Sequence, residues 1–135
     1  MNHKDFVKSY HNSIDRLTHV LKDIFINASK KKAITNYREN LSDAARNVLA
    51  NLQLGSIMAV STKTVSLELS ANHTFLTKKI ANVEVLLATT KYKDICVAID
   101  ELTLALADSL ELVEKEFGVK AEVSDFPMVD RRKAA

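Results

Sequence analysis

The stretch NVLANLQLGSIMAVSTKTVSLELSANHTFLT, residues 47–77, decides how many helices the chain makes. Two of its 31 residues are charged, Lys63 and Glu68, in a chain that is 27% charged overall. The rest is Leu, Ile, Val, Ala and Met, interleaved mainly with Ser, Thr, Asn and Gln. A helix on the surface of a monomer normally shows water a charged face. This stretch has a thin neutral one, so it lies against something: other helices of its own bundle, or another surface. Residues 61–65, STKTV, are the natural break, because β-branched and hydroxyl residues weaken a helix. The alternation of Val65, Leu67 and Leu69 resembles a strand but finds no partner strand elsewhere. A break at 61–64 predicts helices over about 34–60 and 64–89. Without it, residues 34–89 form one helix of roughly 84 Å at 1.5 Å per residue, which would need a dimer to cover it. A further break at 70–74, with Asn72 as a cap, is a weaker alternative.

Upstream, Val7, Tyr10, Ile14, Leu17, Leu21 and Ile24 alternate spacings of three and four, the seam of a helix over 2–30. Asn2 ahead of Asp5 reads as an N-cap with an acidic first turn. Lys30, Lys31 and Lys32 suit the negative end of the helix dipole. The second helix carries Ile34, Tyr37, Leu41, Val48 and Leu52 on one stripe, with Ala44, Ala45 and Ala50 small enough for close packing. Gly55 and Ala59 add a small-xxx-small spacing. The third stripe is Val65, Leu69, Leu76, Ile80, Val83 and Leu87.

Downstream, residues 89–93 form a turn, Asp94 is the expected cap, and a fourth helix covers about 92–117. Its stripe is Tyr92, Ile95, Ile99, Leu102, Leu106, Leu110, Val113 and Phe117, opposite an acidic face of Asp94, Glu101 and Asp108. Gly118 stands where a helix C-terminus takes glycine. From 119 to 135 no period is sustained, and a flexible tail is expected, with DFPMVD (125–130) as a segment able to dock and Arg131, Arg132 and Lys133 at its end. Helices of similar length with short connections predict an all-α fold, an antiparallel up-down-up-down four-helix bundle over 1–118. The alternative is three helices with a long central one.

Composition agrees. Two Gly and one Pro leave few tight turns, and the absence of Trp makes the core aliphatic. The lone Cys96 excludes an intramolecular disulfide and a Cys-based zinc site. With no apolar leader after residues 2–5 and no run of about 18 uncharged apolar residues, a cytoplasmic protein without a transmembrane segment is expected. Net charge is +2, but residues 1–93 carry +7, residues 94–130 carry −8 and the last five carry +3. That asymmetry favours either folding or assembly.

Candidate chemistry is sparse. His11 with Asp15, and His19 with Asp23, share helix faces at i, i+4, yet the two pairs drift about 80° apart on a 3.6-residue helix. His3 continues that drift, and solvated pairs are expected in place of a metal site. His73 reads as a cap or interface histidine, and Cys96 as a small buried hydrophobe without a base to activate it. No phosphate loop, HExxH, GxSxG or CxxC occurs. Asp100 and Glu101, adjacent on a helix, point apart. The chain is therefore expected to be no enzyme and to hold no cofactor or metal.

The expected function is contact: a self-associating structural or adaptor protein, a homo-oligomer or the partner of another protein. Its face would centre on Leu52, Leu54, Ile57, Met58, Val65, Leu67 and Leu69, because interface cores are depleted of charge. Two alternatives remain open. Neutral amphipathic helices rich in Ser, Thr and Ala suit an uncharged surface, and in composition the chain resembles phasins, the granule-coat proteins. That resemblance implies a coat on a lipid or polymer surface. The cluster Lys30, Lys31 and Lys32, with Arg38 and Arg46, could meet nucleic-acid phosphates, against which stand the acidic fourth helix and the shortage of aromatics for stacking.

Overall fold

The computed structural model describes residues 2–58 and 63–120, without the side chains of 63–66. Four helices run in order, α1 (His3–Ser29), α2 (Arg38–Met58), α3 (Lys63–Leu86) and α4 (Tyr92–Phe117), and no strand occurs among the described residues. Each packs on its neighbours in a closed ring, α1 on α2, α2 on α3, α3 on α4 and α4 on α1. The fold is the expected four-helix bundle, with α2 and α3 as separate helices side by side. Residues 59–62, which hold Ala59 and the first two residues of the expected break, lie outside the described residues, while Lys63 onward is already helix. The chain from 121 onward, including the 125–130 segment and the basic end, lies outside them too.

The caps explain the boundaries. Asn2 Oδ1 accepts the Asp5 N–H at 2.8 Å, an N-cap contributing about 1 kcal/mol. At the other end of α1, Lys31 N–H bonds to Ala28 O at 3.0 Å and Lys32 N–H to Asn27 O at 2.9 Å. These are the paired closing bonds of a Schellman motif, and they force Lys31 to φ 56°. The connector then differs from the expected early start of α2. Residues Thr35–Tyr37 form a 3-10 turn, because Ile34 is drawn inward to a buried position and the Tyr37 hydroxyl accepts the Asn27 amide at 3.0 Å. Asp94 does not cap α4. The N-cap is Lys91, whose own N–H is held by Thr89 Oγ1 at 3.2 Å, and Asp94 sits inside the first turn, where a carboxylate favours the dipole. Gly118 takes the left-handed conformation, φ 67°. Val119 N–H bonds back to Glu114 O at 3.1 Å, so Val119 packs against the core.

The core is aliphatic, built from the stripes read in the sequence. Every described residue of the α1 and α3 stripes is buried, as are Leu41, Val48 and Leu52 of α2 and Ile95 to Phe117 of the α4 stripe. At one end α1 adds aromatic packing: Phe6 meets Phe117 at 5.0 Å between centroids, and Phe117 meets His3 edge-on at 4.7 Å. Gly55 of α2 lies against the tip of the Phe6 ring, which leaves no room there for a Cβ. The Gly55 half of the small-residue spacing therefore serves a ring contact inside the bundle.

One polar chain crosses this core. The Tyr10 hydroxyl and Ser109 Oγ are 2.6 Å apart, and Ser109 Oγ donates to Asn72 Oδ1 at 2.5 Å. Since Ser109 spends its one proton on Asn72, Tyr10 must be the donor to Ser109. Three helices are thereby tied at one level. Asn72 interrupts nothing: α3 runs through 70–74 unbroken. Ser13, Thr18 and Thr103, also buried, return their hydroxyls to carbonyls three or four residues earlier.

A candidate contact face on α2 and α3

Residues two apart on a helix lie about 200° apart around it, and this divides the seven expected interface residues. Leu52 and Leu69 point inward and are fully buried core. They join α2 and α3 to their own bundle and offer nothing to a partner, which corrects their place in the expected face. Leu54, Ile57 and Leu67 point outward; Ile57 is 61% and Leu67 73% exposed. Met58 is half-buried against the core, and the side chain of Val65 lies outside the described residues.

The structure adds two residues to the outward set. Val85, more than two heptads beyond the expected face, is 69% exposed, and Phe75 is about half exposed. Lys79 reaches over the Phe75 ring at 5.5 Å and also meets Glu101 of α4 at 3.8 Å. From 69 to 86 the exposed positions of α3 carry a single charge, Lys78. Lys79 and Glu84 are half-buried on its two flanks. A count of both faces of α3 would have found Val85; outward apolar residues also stand on α1, at Ile26, and on α4, at Val97 and Leu104.

The opposite side of the bundle is charged. Outward positions of α1 include Lys8, Arg16, His19 and Asp23, and those of α4 include Asp94, Glu101, Asp108 and Glu111. Neither expected histidine pair forms as read. His11 turns into the core, and His19 pairs with Asp15, its Nδ1 2.7 Å from the Asp15 carbonyl and 3.6 Å from the carboxylate. No group of three His, Cys, Asp or Glu side chains among the described residues is placed to hold a metal ion. His73 lies in mid-α3, half-buried, and is no cap.

Acid–base properties shift at Cys96, Tyr10 and Glu116. Burial pushes the Cys96 thiol up, and the Asp100 charge adds to this, so it stays protonated at neutral pH, the reverse of an activated nucleophile. Burial likewise raises Tyr10 well above the usual phenol range, with the Ser109 hydrogen bond opposing it. Across the α3–α4 seam, a hydrogen bond with Glu68 raises the Glu116 carboxyl, helped by some burial and by the Glu68 charge.

Cations gather at one end. The connector of residues 30–37 and the turn before α4 bring Lys30, Lys31, Lys32, Lys91 and Lys93 together with Arg38. Lys31 and Lys93 line one shallow depression with Tyr92 and Cys96. Arg38 also lines, with Arg46, a polar depression beside Glu39, Asp43 and Glu84, and the Arg46 guanidinium is 3.8 Å from Asp43. No helix among the described residues is long and apolar enough to cross a membrane. Neither a protein-family model, nor a curated protein, nor a solved structure matches the chain.

Proposed function

We propose that this chain is a non-catalytic helical contact protein that associates with itself or with a protein partner through the outward face of α2 and α3. One observation carries the reading: Ile57, Leu67 and Val85 stand well exposed on a face whose α3 part bears two exposed charges, Glu68 and Lys78, in a chain rich in charge elsewhere. A surface helix of a monomer concentrates its apolar residues on the inner side. An outward apolar set on a neutral ground is what a protein contact requires. Light scattering over a concentration series, at low and high salt, tests it. Apolar association gives a mass that grows with concentration and persists in salt. A constant monomer mass removes self-association and leaves a foreign partner for the face.

A second reading, contact with a polyanion, is favoured by the convergence of six cations on one end, none of them in an ion pair among the described residues. The acidic outer side of α4 restricts it to an end-on approach. Its signature is opposite, a steep loss of binding to a nucleic acid as salt rises.

A further inference from the structure

We infer that α3 pairs with α3 of a second copy in an antiparallel, two-fold seam centred on the level of Leu76. This rests on the reading of the α2–α3 face as a contact surface and gives that face an occupant and a register. The outward side of α3 carries Leu67, Ala71, Thr74, Lys78, Ala81 and Val85, all exposed. Their spacings are four, three, four, three and four, the a/d alternation of a coiled-coil seam. It runs back to back with the inner seam of Leu69, Leu76, Ile80, Val83 and Leu87, all buried. α3 thus carries apolar residues on two opposite sides, and the bundle covers one.

The outer seam matches itself when reversed. Antiparallel pairing about residue 76 sets Leu67 against Val85, Ala71 against Ala81 and Thr74 against Lys78 of the other copy. Each large apolar residue meets a large one, and each alanine meets an alanine, which lets the helices approach closely. The Lys78 ammonium meets a hydroxyl. Such mutual matching, residue i on j and j on i, is what a two-fold interface demands. Parallel in-register pairing would instead set Lys78 on Lys78, a like-charge contact at the centre of the seam. A helix of this length, about 36 Å by about 12 Å across, covers on the order of 400 Å² per copy, below the standard interface size. The dimer is accordingly weak, forming as concentration rises through the micromolar range.

Cysteine cross-linking of the full chain reads the register. In a Cys96→Ala background, Ala71→Cys and Ala81→Cys replace exposed residues by ones of similar size, and circular dichroism checks that helicity is kept. Under mild oxidation, a disulfide-linked dimer is expected when the two variants are mixed and not from either alone. Thr74→Cys mixed with Lys78→Cys should link in the same way. Linking of Ala71→Cys with itself would show a parallel pair and overturn the inference. Absence of links in both mixtures, at concentrations where light scattering finds a dimer, would overturn the α3 pairing and its register while leaving self-association standing. A monomer at every concentration would overturn the register and the self-association reading together.

Discussion

Lys31 stands where a helix C-terminus favours glycine. Its φ of 56° is a conformation that costs a residue with a Cβ about 1 kcal/mol. Lys31→Gly should therefore raise stability by about that much in a urea titration, despite removing a charge at the negative end of α1. Tyr10, Ser109 and Asn72 give a second test at this scale. Tyr10→Phe removes one hydrogen bond and leaves Ser109 donating to Asn72, a loss of about 1 kcal/mol. Ser109→Ala strands the buried Tyr10 hydroxyl and should cost more, about 2–3 kcal/mol, visible as the larger drop in the denaturation midpoint. Neither residue announces this chain in the sequence. Tyr10 reads as one more member of an apolar seam, and Ser109 and Asn72 are joined only by the packing of α3 on α4.

Among the elements, α1 and α4 were the most legible, since each has one uninterrupted seam and a strong terminal signal, Asn2 in α1 and Gly118 in α4. The start of α2 was not, because the turn at Thr35–Tyr37 is made by burial of Ile34 and a bond from Asn27, both of which are tertiary. Of the residues expected on a contact face, Leu54, Ile57 and Leu67 do point outward. The loss of charge over 47–77 drew attention to them, but taking Leu52 with Leu54, and Leu67 with Leu69, merged two sides of a helix. Two element contacts invite tests. Gly55→Ala should destabilise by about 1–2 kcal/mol in thermal denaturation: the Phe6 ring it meets is buried, and overpacking of this kind costs more than the helix preference of alanine returns. The Glu68–Glu116 contact between α3 and α4 has a pH sign. Glu116 is raised in the folded state, so the pair favours folding at low pH and loses that contribution as pH rises through its folded value. Glu68→Gln should then raise the melting temperature at pH 7, and the gain should vanish near pH 4.

As a whole, the molecule is a bundle whose outer surface is dense in charge on α1, α4 and the first turns of α2, and sparse in charge over the rest of α2 and α3. Its aliphatic core accounts for the inner stripe of every helix, and nothing among the described residues covers Leu67 or Val85 on the outer side of α3. The account therefore turns on whether that outer side is covered in solution. The direct measurement is solution mass by light scattering, over a concentration series, of the wild type and of a Leu67→Glu, Val85→Glu variant. Both positions are highly exposed, so surface substitution there should leave the fold within about 0.5 kcal/mol of the wild type. The account predicts a wild-type mass that climbs toward twice 15.1 kDa and a folded variant that stays a monomer. Equal masses for the two proteins at every concentration would contradict it.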